Sequence, residues 1–209
     1  MGVVVLILGE SGSGKSYSLK NLDPNTVGVF NVSNKPLPFK NGKNFRQYKG
    51  AAASYGNIYK AFANHTLKRY VIDDANYLMT FEEFGRSKET GYTKFTEMAT
   101  HFYSMVQAAI AMPGDVITYF MMHVESGEDG KIRAKTTGKM ISEKLVLEGL
   151  FSIVLLTQVD GSDRRHYFVT QTDGYTTAKS PEEMFDIEIP NDLNFVDKTI
   201  REYYGLTEV

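Results

Sequence analysis

The sequence predicts an α/β fold in which a mostly parallel β-sheet is sandwiched between helices. Val3–Leu8 is a continuous apolar, β-branched run, typical of a strand buried on both faces of a parallel sheet. Similar runs recur at Val27–Val32, Tyr70–Ile72, Val116–Met122 and Ile153–Val159. Helix-like stretches lie between several of them, at Ala51–Leu67 and Phe95–Met112. Such alternation places the ligand site at the carboxyl ends of the strands.

The last third of the chain predicts a different local topology. Arg164–Gln171 follows a turn at 160–163 and reads as a strand that pairs antiparallel with Ile153–Val159. We expect this hairpin to close one edge of the sheet, and Asn194–Tyr204 to form a terminal helix. Because the chain has no internal repeat and no linker-like tract, we expect a single domain over residues 1–209.

The bulk composition excludes several classes of protein. The 23 Lys and Arg residues are balanced by 25 Asp and Glu residues, so any nucleic-acid site must be local. The absence of cysteine excludes disulfides, thiolate zinc sites and a cysteine nucleophile. The opening apolar run ends at Gly9, far short of the roughly 20 residues that span a bilayer. We therefore expect a cytoplasmic protein with no membrane partner.

A glycine-rich segment after the first strand predicts a phosphate-binding loop. Its sequence matches G-x-x-x-x-G-K-[ST] in full: Gly9, Glu10, Ser11, Gly12, Ser13, Gly14, Lys15 and Ser16. The glycines let backbone N–H groups turn towards phosphate oxygens, and we expect the next helix to add a favourable field. Lys15 is expected to reach the β- and γ-phosphates, Ser16 to bind Mg²⁺, and Tyr17 to line the nucleotide site.

These residues resemble the P-loop NTPase superfamily, which implies nucleotide binding and usually hydrolysis. Two acids end a later apolar strand, and they resemble the Walker B element of the same superfamily. The resemblance implies that Asp73 holds the magnesium and that Asp74 acts as the catalytic base. The other interpretation is that both acids are solvated and cap a helix that begins near Ala75.

The phosphate-loop motif does not by itself identify the subfamily of P-loop NTPase. GTPases read guanine with Asn-Lys-x-Asp late in the chain, whereas Asn34-Lys35-Pro36-Leu37 comes early and lacks the Asp. A nucleotide or nucleoside kinase stays open, with Arg164-Arg165 or Lys131–Lys139 as a candidate lid. A motor or packaging ATPase and a nucleotide-switched interaction module stay open as well.

The remaining pattern resembles the short RecA-like ATPases that phages encode beside recombination and single-strand annealing functions. That resemblance implies ATP with Mg²⁺, single-stranded DNA, an annealing or replication protein as partner, and a homo-oligomer. It also implies that His123 senses the γ-phosphate and that Lys179 reaches a neighbouring subunit's nucleotide. One departure is that the region Phe30–Asn34, where RecA-like relatives often carry a catalytic Glu, has no carboxylate.

A basic stripe follows the presumed sensor strand. Lys131, Arg133 and Lys135 recur at every second position, so an extended backbone directs all three to one side, towards a phosphate backbone. The alternative is a solvated hairpin whose basic residues maintain solubility. The remaining histidines, His65, His101 and His166, share no ligand spacing and are interpreted as structural or surface residues.

Overall fold

The computed structural model describes residues 1–138 and 145–207, and its centre is an eight-stranded sheet. Six strands are parallel: β1 (Val3–Leu8), β2 (Val27–Asn31), β3 (Arg46–Lys49), β4 (Arg69–Asp73), β5 (Ile117–Met122) and β8 (Ile153–Val159). Two strands are antiparallel to their neighbours: β9 (His166–Val169) and β10 (Glu188–Pro190). The spatial order is β10-β9-β8-β1-β5-β4-β2-β3.

Helices cover both faces of this sheet. One face packs against α1 (Tyr55–Asn64), α2 (Asn76–Gly85) and α3 (Thr93–Ile110), and the other packs against α4 (Leu193–Tyr204). Strand residues alternate between the two cores; Leu6 lies in the first core and Ile7 in the second. The predicted α/β sandwich with a mostly parallel sheet is confirmed.

The strand order fixes where the functional groups emerge. The chain leaves β1 for the far side of the sheet, returns through β4 and β5, and then crosses to β8 on the other side of β1. The order therefore reverses at β1, the point where open α/β sheets bind ligands. Because β5 lies between β1 and β4, the residue after β5 lies between those two strand ends.

Two details differ from the sequence-based expectations. The element after the phosphate loop is a six-residue 3₁₀ helix, Ser16–Asn21, and it ends before Pro24, which forces the preceding residue into an extended conformation. Its short length makes the expected helix field weaker than that of a full α-helix. The β8–β9 hairpin forms as predicted but does not close the edge, because the short strand β10 pairs outside it.

The two edge strands of the sheet are short, and their residues disfavour pairing with a further strand. β3 has four residues and carries Arg46 and Lys49. β10 has three residues and ends at Pro190, which has no backbone N–H to donate.

A separate two-stranded sheet lies beside the main one. It consists of β6 (Val124–Ser126) and β7 (Ile132–Ala134), which are antiparallel. Ile132 also bridges to Thr176, and Ala134 N–H donates a 2.7 Å hydrogen bond to Glu148. The hairpin is therefore packed on the body of the molecule.

A buried ionic cluster joins α4 to the sheet. Asp197 accepts hydrogen bonds of 2.7 Å from Arg69, 2.7 Å from Arg201 and 2.9 Å from the hydroxyl of Tyr119. Burial, with the nearby Asp197 carboxylate, raises the pKa of Tyr119, so its hydroxyl remains a donor. One carboxylate is thus shared by two buried guanidinium groups, and Arg201 also donates to the carbonyls of Asp115 and Thr207, so each buried charge has hydrogen-bond partners.

Across the described ranges, none of the helices is both long enough and apolar enough to cross a bilayer.

Candidate functional site

The glycine-rich loop leaves β1 at the carboxyl edge of the sheet and needs unusual backbone geometry. Gly12 has φ of 82° and Gly14 has φ of 109°, values that favour glycine. A Cβ on Gly14 would also lie 2.8 Å from Nδ1 of His166. A side chain at position 14 is therefore excluded twice, by backbone strain and by the neighbouring imidazole.

The loop is anchored to β8 on one side. Ser13 and Thr157 share a buried hydrogen bond between their hydroxyls, and Thr157 also donates to the carbonyl of Leu8 at 3.1 Å. A Cβ on Gly9 would clash with the hydroxyl of Thr157. These contacts hold the loop close to the strand end.

Lys15 lies inside the curve of its own loop. Its ammonium donates hydrogen bonds of 2.7 Å to the carbonyl of Gly9 and 2.9 Å to that of Glu10. Burial lowers the pKa of Lys15, and the nearby carboxylates of Asp74 and Asp73 oppose this shift. A buried cation held by carbonyls is ready to exchange these partners for a stronger anionic acceptor.

Ser16 and Asp73 meet across the site. Ser16 Oγ donates a 2.8 Å hydrogen bond to Asp73 Oδ1, although the two residues belong to different elements. Burial, together with the charge of Asp74, raises the pKa of Asp73 to about 6. A divalent cation beside this carboxylate would compensate its buried charge.

Asp74 is ionised and held in an unusual conformation. Its φ of 60° is rare outside glycine, asparagine and aspartate. Burial alone would raise the pKa of Asp74, but hydrogen bonding to His123 and Ser33 and the charge of Lys35 lower it to about 2. His123 Nε2 lies 3.3 Å from one carboxylate oxygen, and Lys35 Nζ lies 3.5 Å from the other.

A cavity of about 320 Å³ collects these groups at the carboxyl edge of the sheet. Its lining includes Lys15, Ser16, Asp73, Asp74 and His123. Ser11, Gly12, Gly14 and Tyr17 also line it, so the structure brings most of the sequence-predicted nucleotide residues to one cavity. Gly9, Glu10 and Ser13 belong to the same loop but do not line this cavity.

The chemistry of the donors fits a magnesium ion that is shared with a nucleotide. Ser16 and Asp73 offer hard oxygen ligands side by side, which is what Mg²⁺ prefers. Within residues 1–138 and 145–207, no group of three or more His, Asp or Glu side chains is arranged to hold a metal without other ligands. Such a site takes its remaining ligands from phosphate oxygens and water.

Two residues of the site escaped the sequence-based assignment. Lys35 lines the cavity, although its sequence context served only to argue against a GTPase. His166, interpreted as structural or surface, also lines it, and its Nδ1 lies 2.8 Å from the carbonyl oxygen of Ser13. The ring of His166 lies 5.8 Å from that of Tyr17. Neither position follows from a local motif, since each depends on a loop or strand pairing that connects distant parts of the chain.

The basic stripe lies on the β6–β7 hairpin. Lys131 and Lys135 are exposed, Ile132 and Arg133 are half-buried, and Ala134 is buried. Arg133 is instead paired with Asp129 at 2.7 Å and stands opposite Glu125 in the sheet register. Lys139, the last residue of the candidate kinase lid, lies outside the described residues.

Lys179 lies away from the carboxyl edge of its own sheet. Its backbone pairs with Val154 near the start of β8. Lys179 lines a different cavity, which also includes Met1, Gly2 and Tyr204. A role of Lys179 at a neighbouring subunit's nucleotide stays a prediction.

The other residues considered from sequence fall at the surface. Arg164 and Arg165 are exposed and line a small cavity that shares Tyr17 and His166 with the main one. His65 is exposed at the end of α1, and His101 on α3 contacts Glu82 at 2.9 Å.

Comparison with known proteins adds little at the sequence level. No protein-family model matches the chain, and neither does any curated protein. Among solved structures, the chain is similar to a KaiC-like protein from the hyperthermophilic archaeon Pyrococcus horikoshii OT3. The TM-score is 0.43 and the identity 15%, over 80% of this chain and 77% of the other. The α/β fold is thus established by this chain's own strand order and register.

Proposed function

We propose that this protein binds ATP with Mg²⁺ and hydrolyses it as an ATPase of RecA-like type. The observation that supports this most is that Lys15, the Ser16–Asp73 pair and Asp74 line one cavity at the carboxyl edge of the sheet. A cation for the phosphates, oxygen ligands for the metal and an ionised carboxylate are the parts that phosphoryl transfer to water requires.

Each residue has a distinct part in this proposal. The ammonium of Lys15 leaves the carbonyls of its own loop and contacts the β- and γ-phosphates, where it stabilises the charge that develops during transfer. Mg²⁺ would be held by Ser16 and Asp73 and would neutralise charge on the phosphate oxygens.

Asp74 is suited to orient the attacking water. With a pKa of about 2 it is ionised at neutral pH and accepts a hydrogen bond from water, but such a weak base favours positioning over full proton removal. The water oxygen bonds to the γ-phosphorus, the bond to the β-γ bridging oxygen breaks, and ADP leaves with that electron pair. The water proton passes to the phosphate product. His123 contacts Asp74 and is placed to restrain the carboxylate.

The deciding experiment measures ATP turnover and includes a phosphate-acceptor screen. Purified protein is incubated with ATP and Mg²⁺, alone and with AMP, TMP or nucleosides. We expect release of inorganic phosphate that depends on Mg²⁺. Phosphorylation of an added acceptor would instead identify a nucleotide or nucleoside kinase, for which Arg164 and Arg165 beside the cavity are candidate lid residues. Binding of ATP without turnover would leave the interaction-module alternative.

A second proposal is that the protein binds single-stranded DNA during recombination, annealing or replication. The exposure of Lys131 and Lys135, which flank β7, supports it. Arg133 is expected to contribute less, because Asp129 already occupies its guanidinium. Replacing all three residues with Ala should weaken DNA binding across sequences and lower the salt slope by about 0.7 per lost contact. Unchanged affinity and slope would contradict this role, and wild-type protein that binds no DNA at low salt would remove the proposal.

The expected homo-oligomer also stays a proposal. Light scattering across a concentration series, with and without ATP, tests it directly. Lys179→Ala should lower turnover without weakening nucleotide binding if that lysine acts on a neighbour's nucleotide.

A further inference from the structure

We propose that Lys35 supplies a second positive charge to the terminal phosphate of the nucleotide from within the same chain. This inference rests on the proposed nucleotide site and assigns a contact that the phosphate loop does not provide. It concerns the connection after β2, where RecA-like relatives often carry a carboxylate and this chain has none.

Lys35 lies in the same cavity as the phosphate loop. It lines that cavity together with Lys15, Ser16 and the two aspartates. Its ammonium is 3.5 Å from Asp74 and 5.7 Å from the centre of the Tyr77 ring. Its side chain is 64% exposed. Because it is not enclosed by other residues, the ammonium can move from Asp74 to another anion.

The backbone of Lys35 is fixed more firmly than its exposed side chain suggests. The side-chain amide of Asn31, a residue only 1% exposed, donates a 2.6 Å hydrogen bond to the carbonyl of Lys35. The same amide donates to Gln47 at 3.1 Å, and Gln47 in turn donates to the carbonyl of Gly42 at 2.8 Å. A buried amide therefore holds the turn that presents Lys35.

The local conformation supports the same placement. Asn34 has φ of 57°, which asparagine tolerates better than most residues, and Pro36 restricts the residue before it. The N–H of Asn34 donates a 3.3 Å hydrogen bond to the carbonyl of Asn31, so the chain turns directly after β2, and the ammonium of Lys35 lies beside Asp74, the residue after β4.

The charges in the cavity are matched before any nucleotide binds. Lys15 and Lys35 balance Asp73 and Asp74, and the charge of Lys35 lowers the pKa of all three other groups. A bound triphosphate adds negative charge that Mg²⁺ only partly neutralises. Lys35 lies beside Asp74. In the proposed function Asp74 orients the attacking water, so Lys35 is close to the place where this water meets the γ-phosphorus. Its transfer from Asp74 to the γ-phosphate would also release Asp74 to contact that water.

A cation supplied in cis has a kinetic consequence. If Lys35 alone provides this charge, a single subunit can hydrolyse ATP, and the turnover per chain does not depend on protein concentration. A cation supplied by a neighbour, such as the one expected from Lys179, would instead make turnover fall on dilution below the assembly concentration.

The test compares Lys35→Ala and Lys35→Arg with Lys40→Ala, an exposed lysine of the same connection that does not line the cavity. We measure kcat and KM for ATP, and the Kd values for ADP and for a non-hydrolysable ATP analogue. Lys35→Ala should lower kcat at least about tenfold, the loss expected for a charge that acts on the transition state. It should also weaken the analogue more than ADP, because ADP lacks the γ-phosphate. Lys35→Arg should recover part of both losses, and Lys40→Ala should behave as wild type.

Two results would overturn the inference. One is that Lys35→Ala matches Lys40→Ala in kcat and in the preference for the analogue over ADP. The other is that Lys35→Ala weakens ADP and the analogue equally and lowers the thermal midpoint, which would indicate a purely structural role. Failure of the proposed function looks different, because the wild-type protein itself would then show no turnover and no nucleotide affinity.

Discussion

Ser16 Oγ donates a 2.8 Å hydrogen bond to Asp73 Oδ1, which links the phosphate loop to the carboxyl end of β4 across 57 positions of sequence. The contact brings together two oxygen ligands that two separate sequence motifs predict for the same magnesium ion. It exists because β4 and β1 are held in one sheet with only β5 between them. The consequences of this geometry for binding, hydrolysis and stability can be measured separately.

Lys15→Ala should reduce ATP affinity or turnover by at least about tenfold, because it removes the cation that stabilises the β- and γ-phosphates. Calorimetry and phosphate release measure the two quantities. Lys43→Ala, an exposed lysine outside the cavity, is the matched control. If both variants bind and hydrolyse ATP like wild type, the loop is not a phosphate site.

Asp73→Asn should weaken Mg²⁺-dependent nucleotide binding, because an amide oxygen is a poorer ligand for Mg²⁺ than a carboxylate. Titration of nucleotide at several Mg²⁺ concentrations measures this. Binding in the presence of a chelator should change little. Equal Mg²⁺ dependence in the variant and in wild type would place the metal elsewhere.

The same substitution should stabilise the nucleotide-free protein at neutral pH. The folded-state pKa of Asp73, about 6, lies above the ordinary aspartate value of 3.8, so protonation of Asp73 favours the native state. That contribution is complete below about pH 4 and is lost as the pH rises through 6. Asn mimics the neutral form at every pH, so the variant should gain about 1–3 kcal/mol at pH 7.5 and little at pH 4. Urea unfolding at both pH values measures this, and a gain independent of pH would contradict the assignment.

Asp74→Asn should leave nucleotide binding nearly intact and slow hydrolysis, because the amide cannot restrain the attacking water as a carboxylate does. Single-turnover measurements separate these effects. Asp186→Asn, an exposed carboxylate away from the site, serves as the control. Normal hydrolysis by the Asp74 variant would mean that another group orients the water.

Asp197→Ala should lower the free energy of unfolding by about 3–5 kcal/mol, because it leaves two buried guanidinium groups without their shared carboxylate. Asp115→Ala breaks a partly exposed pair with Lys68 and should cost no more than about 1 kcal/mol. Chemical denaturation compares them. Similar losses for both variants would show that the buried cluster is not a main determinant of stability.

The nucleotide loop was predictable from sequence because its residues are contiguous and follow an apolar strand. Asp73 was predictable for a similar reason, since it ends the short strand β4. Lys35 was not, because the pairing of β2 with β4, which sets Asn31 opposite Asp73, brings the turn after β2 to the site. His166 was not either, because the register of β9 against β8 brings it to the loop.

The shortness of two elements also explains where the sequence-based predictions of the fold differ from the structure. The segment Ser16–Asn21 has six residues, too few to distinguish a 3₁₀ helix from an α-helix by periodicity. Strand β10 has only three residues, so no alternation could reveal it, and the hairpin was expected at the edge instead. These elements are defined by tertiary pairing rather than by pattern.

The two ends of the sheet limit how molecules of this protein can join. Exposed strand edges invite pairing between chains, which leads to domain swapping or fibres. Here Arg46 and Lys49 on β3 would place charges against any added strand, and Pro190 on β10 removes a donor from the ladder. Growth of the sheet from one molecule into the next is therefore disfavoured, and a ring or filament of subunits would have to form through helices and loops.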